Sequence, residues 1–153
     1  MAYHSLKEIL DYCEKNGKPF FEAVLDDDMA ERTVTREESM NQMYRMWDAM
    51  LLASATYDGS LKSASRLVGG QGAAMEEYGK TGQTLCGDFI NQVMTQALQM
   101  GESNACMKRI VAAPTAGSCG VMPAVFLTYQ KYFQTSDEKM TEAMFTAAGI
   151  GTV

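Results

Sequence analysis

The sequence predicts an all-α fold, a compact helical array, and three observations predict it. Ser/Thr-x-x-Glu capping boxes begin at Ser5, Thr35 and Thr135, each ahead of an apolar-periodic run. Apolar residues recur at three- and four-residue spacing over most of the chain. The period-two alternation of a half-buried strand is nearly absent. At 153 residues the chain can bury a real core, and 46% hydrophobic against 21% charged residues describes a soluble globular protein.

The first helix is expected from Leu6 to about Asn16, with Leu6, Ile9, Leu10 and Cys13 on one stripe and Gly17 as a left-handed stop. Cys13 reads there as a small core residue. Pro19 opens a second helix at its first position, with Phe20, Phe21, Val24 and Leu25 facing inward. The pattern fades from Asp26 to Val34, although Met29 continues the stripe. The box at Thr35 opens the longest helix, to about Tyr57. Its Met40, Met43, Tyr44, Trp47, Met50 and Leu51 stripe reads as a core face rather than a cofactor box. The thirteen methionines read likewise as adaptable core filling.

Gly59 ends that helix, and residues 60–72 form a loop with two cations, three serines and three glycines. It is either a solvated connector or a lip that takes an acidic small molecule through Lys62, Arg66 and backbone N–H groups. Ala73–Lys80 is a short helix, and residues 81–87 are a second glycine-containing loop. Asp88 is expected to cap a helix carrying Phe89, Val93, Met94, Ala97 and Met100 inward, with Gly101 ending or bending it. Gly120–Phe133 is a further helix that tolerates Pro123 in its first turn, where the N–H has no helical acceptor. Its buried side is expected to be Val121, Val125, Phe126, Tyr129 and Phe133. The box at Thr135 opens the last helix at Asp137. That helix finishes in the small, apolar Gly149–Val153, where soluble chains usually end in polar, frayed residues, so the chain reads as interrupted.

The formal charge of −6, with no basic patch, argues against nucleic-acid binding. No apolar stretch approaches the roughly 20 residues of a membrane helix, and the N-terminus lacks the apolar region of a signal peptide. The expected location is cytoplasmic, with the thiols reduced. The cysteines at 13, 86, 106 and 119 contain no C-x-x-C and show no zinc spacing. The single histidine, His4, lies in a terminus expected to fray, which leaves little room for a Ser/His/Asp triad. Neither GxGxxG nor a P-loop lysine is present.

The densest chemistry lies in Arg109-Ile-Val-Ala-Ala-Pro-Thr-Ala-Gly-Ser-Cys-Gly-Val-Met-Pro123. Pro114 sets φ at the head of a turn, Gly117 and Gly120 permit unusual backbone, and Thr115 and Ser118 place hydroxyls beside free N–H groups. Cys119 falls at a helix start, where a partial positive charge favours anions and thiolates. Its reading stays threefold: inert packing, an activated nucleophile, or a metal or cluster ligand.

This stretch resembles the signature of the iron–sulfur-dependent L-serine dehydratases, in particular their alpha chain. Asn104-Ala-Cys-Met resembles the family's Asn-Ala-Ser-Met, Leu61-Lys-Ser-Ala-Ser-Arg-Leu-Val-Gly-Gly70 its Lys-Ser-x-Ser-Gly-Leu-x-Gly-Gly loop, and Lys80-Thr-Gly-Gln-Thr-Leu-Cys-Gly87 its Gly-Lys-x-Leu-Ser-Gly segment. The likeness runs in order over essentially the whole chain. It implies an all-α catalytic domain with a [4Fe–4S] cluster that converts L-serine to pyruvate and ammonia. One open iron of the cluster would act as a Lewis acid on the substrate hydroxyl. It maps a cluster ligand onto Cys119. It makes Thr115, Gly117, Ser118, Lys62, Ser63, Ser65, Gly69 and Gly70 candidates for holding the substrate carboxylate, with Asn104 as an added polar contact. It names no catalytic base. A beta chain is the implied partner.

The chain departs from the family at Cys106 and Cys86, where serine is usual, and at Lys108, where glycine is usual. The family's other cluster cysteines belong to a later segment. On that reading residues 1–153 are the N-terminal part of a single all-helical alpha-chain domain, inactive alone. Unburied apolar faces would favour a homo-oligomer. The alternative is a truncated, non-catalytic helical remnant or a partner-binding subunit of the same fold.

Overall fold

The computed structural model describes residues 3–153. Among them every regular element is helical: α1 Leu6–Asn16, α2 Phe20–Arg32, α3 Arg36–Ala55, α4 Gln71–Lys80, α5 Gly87–Ala105, α6 Val121–Phe133 and α7 Asp137–Thr152, with a 3-10 turn at Ala116–Ser118. None is long and apolar enough to cross a membrane. The chain divides into two units, one made of the segment up to Trp47 with Ser136–Val153, the other of Asp48–Thr135.

Local chemistry sets the helix ends of the first unit. Ser5 Oγ accepts from Glu8 N at 3.3 Å, and Glu8 reaches back one residue further than a standard box, to His4 N at 2.8 Å. Gly17 stops α1 with φ 62°. Pro19 is not the first helical residue but the N-cap of α2, extended at ψ 161°, and its carbonyl accepts from Glu22 N. The helix then runs on through the acidic stretch to Arg32, where Thr33 turns left-handed. The box at Thr35 closes fully: Glu38 N donates to Thr35 Oγ1 at 3.2 Å and Thr35 N to Glu38 Oε2 at 2.8 Å. The Thr35 N–H, and after it the Thr35 hydroxyl at 2.9 Å, donate to Glu38 Oε2 and hold that carboxyl below its ordinary pKa. At α7 the cap is Ser136, which accepts from Lys139 N, rather than Thr135. Val24, Leu25 and Phe145 form the core, flanked by Phe20, Phe21, Met29, Met40 and Met43. Trp47 is fully buried, and its indole N–H finds Asp137 Oδ1 at 2.8 Å. In α1 only Ile9 is buried; Leu6 and Leu10 are exposed.

In the second unit α5 is the central helix, packed by α4 on one side and α6 on another. Two expectations fail there. Asp88 is not the cap of α5: the helix begins a residue earlier, after Cys86, because Gly87 adopts φ 75° and turns the chain in. Gly101 does not end α5, which continues to Ala105. The faces of α5 and α6 also differ from the periodic reading. Val121, Val125, Tyr129 and Phe133 are exposed, as is Met94, whereas Pro123, Ala124, Leu127 and Thr128 are buried. Small residues decide this. A Cβ on Gly120 would lie 2.7 Å from the Ala97 carbonyl oxygen and 3.3 Å from its Cα, so the glycine brings α6 against α5 on its small-residue side. On α5 Met100 is buried as expected, but the rest of the side turned inward is polar: Asn91, Thr95, Gln99, Glu102 and Ser103 are all buried.

Candidate functional site

The last turns of α5 gather the segments that the sequence nominates. The Glu102 carboxylate, 5% exposed, faces the start of α4. Its Oε1 accepts from Gln71 N at 2.6 Å and Gly72 N at 3.2 Å, and its Oε2 from the Tyr57 hydroxyl at 2.6 Å. The Tyr57 oxygen in turn accepts from Ala73 N at 3.1 Å. The first three N–H groups of α4, which no helical carbonyl can reach, are thus taken by a carboxylate and a phenol. Burial and the Glu102 hydrogen bond push the Tyr57 phenol up to about 12. The approach needs Gly72, where a Cβ would sit 2.7 Å from Gln99 Cγ and 3.1 Å from Gln99 N.

Directly before α4, the loop of Lys62–Gly70 closes on itself. Ser63 N donates to the Val68 carbonyl at 2.9 Å and Val68 N to Ser63 Oγ at 3.2 Å. Ser63 and Ser65 share a hydrogen bond at 3.1 Å between their hydroxyls. The Lys62 ammonium donates to the Gly69 carbonyl, so this cation braces the loop from within. Gly69 and Gly70 take φ 135° and 87°, and Arg66 takes 61°. Gly69 N is held by Gln71 Oε1 at 2.9 Å. Ser63 is buried, while Lys62, Ser65 and Arg66 are exposed.

The signature turn hangs from the same end of α5. Asn104 Nδ2 donates to the Ala116 carbonyl at 2.9 Å. Thr115 caps the 3-10 turn through Ser118 N at 3.2 Å, and the two hydroxyls share a 2.8 Å hydrogen bond. Gly117 is exposed at the tip. Cys119 lies at the foot, 2% exposed, its thiol 3.9 Å from the Met100 carbonyl. Burial pushes that thiol up, against the lowering expected of a helix start.

The candidates therefore fall into two groups on one helix end: Lys62, Ser63, Ser65, Gly69 and Gly70 in the loop ahead of α4, and Thr115, Gly117, Ser118 and Cys119 in the turn held by Asn104. A [4Fe–4S] cluster takes several thiolates. Among the described residues no three His, Cys, Asp or Glu side chains come together to hold a metal. Cys86 stands exposed at the start of α5, and Cys106 is half-buried at its end. The residues present supply one buried thiol and do not form the cradle of a cluster. Apart from these loops, a cleft of about 760 Å³ between α4, α5 and α6 is lined by polar groups, among them Glu76, Lys80, Asn91, Gln99 and Thr128.

Sequence reasoning missed Glu102, Tyr57 and Gln71. No local spacing marks them, since the partners of Glu102 lie about 30 and 45 residues away.

Residues 15–153 match the family model described as serine dehydratase alpha chain. Among curated relatives, the L-serine dehydratase alpha chain of Peptoniphilus asaccharolyticus is 31% identical over 98% of this chain and 52% of its own length. The probable L-serine dehydratase alpha chain of Bacillus subtilis is 26% identical over 99% and 50%. The L-serine dehydratase of Haemophilus influenzae is 27% identical over 97% and 33%. The chain spans about half the length of the two alpha chains and a third of the last. No solved structure matches. On the strength of the match over residues 15–153, the chain belongs to the serine dehydratase alpha chain family.

Proposed function

We propose that this chain serves L-serine deamination, the loss of water from serine followed by hydrolysis of the resulting enamine or imine to pyruvate and ammonia. The observation that carries the reading is the attachment of both the serine- and glycine-containing loop and the signature turn to the last two turns of α5, the one through Glu102 and the start of α4, the other through Asn104. In this reading Thr115, Ser118 and the backbone at Gly117 are candidates for the substrate carboxylate, as are Ser63, Ser65 and the Gly70 backbone, while Gly69, its N–H held by Gln71 Oε1, shapes the loop. The Lys62 ammonium shapes the loop through Gly69 rather than reaching the substrate directly. Asn104 keeps the turn open by holding the Ala116 carbonyl. A cluster, when bound, would supply Lewis acidity toward the leaving hydroxyl. Cys119 is the thiol this chain would contribute to it. A beta chain is the proposed partner and the cytoplasm the proposed location.

The experiment is pyruvate release from L-serine under anaerobic conditions, with iron, sulfide, a beta chain and the remaining half of a related alpha chain supplied. Turnover that disappears in Cys119→Ser supports the reading, as does visible absorption lost in the same variant. Undiminished turnover and absorption in Cys119→Ser would remove Cys119 from its role. The second reading is a non-catalytic helical module of the same fold. It predicts no pyruvate under any of these conditions.

A further inference from the structure

Glu102 is a buried carboxylate with no part in the residue set nominated for substrate, and it accepts from two backbone N–H groups and one phenol. Two of its three partners are the N–H groups of Gln71 and Gly72, which directly follow the loop carrying Lys62–Gly70. Two residues further along α5, Asn104 holds the signature turn. The third partner, the Tyr57 hydroxyl, also receives Ala73 N, so the two side chains act as one clasp on the first turn of α4. Gln71 passes the constraint into the loop, because its Oε1 accepts from Gly69 N at 2.9 Å. We propose that Glu102, with Tyr57 as its hydroxyl partner, is a positioning residue that fixes the Lys62–Gly70 loop ahead of α4, so that the loop presents its Ser63 and Ser65 hydroxyls to the substrate carboxylate.

Three features of the clasp fit this role better than simple capping. Exposed helix starts are capped by a side chain of the N-cap residue itself; here that residue is Gly70, which has no side chain, and the cap comes from a distant helix. A charged acceptor on two N–H groups in a buried place gives short, directional bonds, and the shortest of these is at Gln71, next to the loop. The same carboxylate also occupies the N–H groups that would otherwise take an anion. Substrate is therefore directed to the loop and turn rather than to the start of α4.

The inference rests on the serine-deaminating reading, and its test separates the two. Glu102→Ala removes the clasp; Glu102→Gln keeps an oxygen for Gln71 and Gly72 but loses the charge; Tyr57→Phe removes only the phenol. Two measurements are made on the protein assembled for turnover: steady-state kinetics with L-serine, and amide hydrogen exchange. A loosened binding loop raises KM with little change in kcat. The expected result is a KM at least about tenfold higher in Glu102→Ala with kcat within about threefold, and a smaller rise in Glu102→Gln and Tyr57→Phe. Exchange should quicken at residues 62–72 and stay as it was in α6. Unchanged KM in Glu102→Ala, or equal loss of kcat and kcat/KM in all three variants, overturns the role. If Glu102→Ala does not fold, the same readings on Glu102→Gln and Tyr57→Phe decide it. Absence of serine turnover in the unmodified protein overturns the functional reading itself. Exchange then judges the clasp alone: selective quickening at 62–72 upholds its hold on the loop, and uniform quickening refutes it.

Discussion

Asn104 Nδ2 and the Ala116 carbonyl oxygen lie 2.9 Å apart, tying the end of α5 to the signature turn across twelve residues of sequence. An amide donor is required, because an ionised carboxylate has no proton to give a carbonyl. Asn104→Asp should therefore be as damaging as Asn104→Ala. Each is expected to lower stability by about 1 kcal/mol, the typical worth of one such bond, in a denaturant titration. The loss of serine turnover should exceed what that stability change explains. Equal behaviour of Asn104→Asp and the unmodified protein in both assays would exclude the bond from either role.

Tyr57 makes the second unit sensitive to alkali. Its phenol is raised from an ordinary value of 10.0 to about 12 in the folded protein, first by burial and then by the Glu102 carboxylate. A raised folded value means the protonated phenol stabilises the fold. That contribution is whole below pH 10 and is lost as pH rises through about 12. Ultraviolet titration should show Tyr57 ionising late, as Tyr3 also does, and Glu102→Ala should bring Tyr57 part of the way back toward its ordinary range while leaving Tyr3 unchanged. Stability measured across the same window should fall less steeply in Tyr57→Phe.

Thiol reactivity should follow burial. Cys86 is exposed, whereas Cys119 is 2% exposed with its thiol pushed up. Iodoacetamide is expected to modify Cys86 first and Cys119 only as the second unit opens, since the thiolate is the reacting form. Peptide mass spectrometry resolves the two. Early labelling of Cys119 would restore the activated-nucleophile reading.

Gly120 sets how closely α6 lies on α5. Its Cβ would meet the Ala97 carbonyl oxygen at 2.7 Å, and backbone cannot swing aside as a side chain can. Gly120→Ala is expected to cost about 1–3 kcal/mol by overpacking, although alanine is the better helix former. Thermal unfolding measures it, and a neutral or stabilised variant would show that α6 can shift freely.

What the sequence made legible was whatever is local. The capping boxes at Ser5 and Thr35, the stop at Gly17 and the core around Val24 and Leu25 are short-range features, and they formed as the spacing predicts. The third box misplaced its cap by one residue because Ser136 competes with Thr135 for the same role. The faces of α5 and α6 were not legible. Hydrophobic periodicity locates an apolar stripe, but it cannot weigh that stripe against the close approach that Gly120, Ala124 and Ala97 allow. The two loops of the candidate site stood out by composition, yet the side chain joining one of them to α5 did not. Glu102 sits in Gly-Glu-Ser-Asn, a run with no pattern of its own, and its meaning comes from Gln71 and Tyr57.

Hanging two loops from one helix end also constrains how this chain can vary over generations. An α-helix advances by about 100° per residue. A single residue gained or lost within α5 between Thr95 and Gln99 would swing Glu102 and Asn104 a quarter-turn off their targets together, and no repair in either loop could restore both. The same change in the exposed segment 81–86, ahead of α5, moves neither. Lineages of this chain should accept length changes there and in the loop tips, and none in the last three turns of α5.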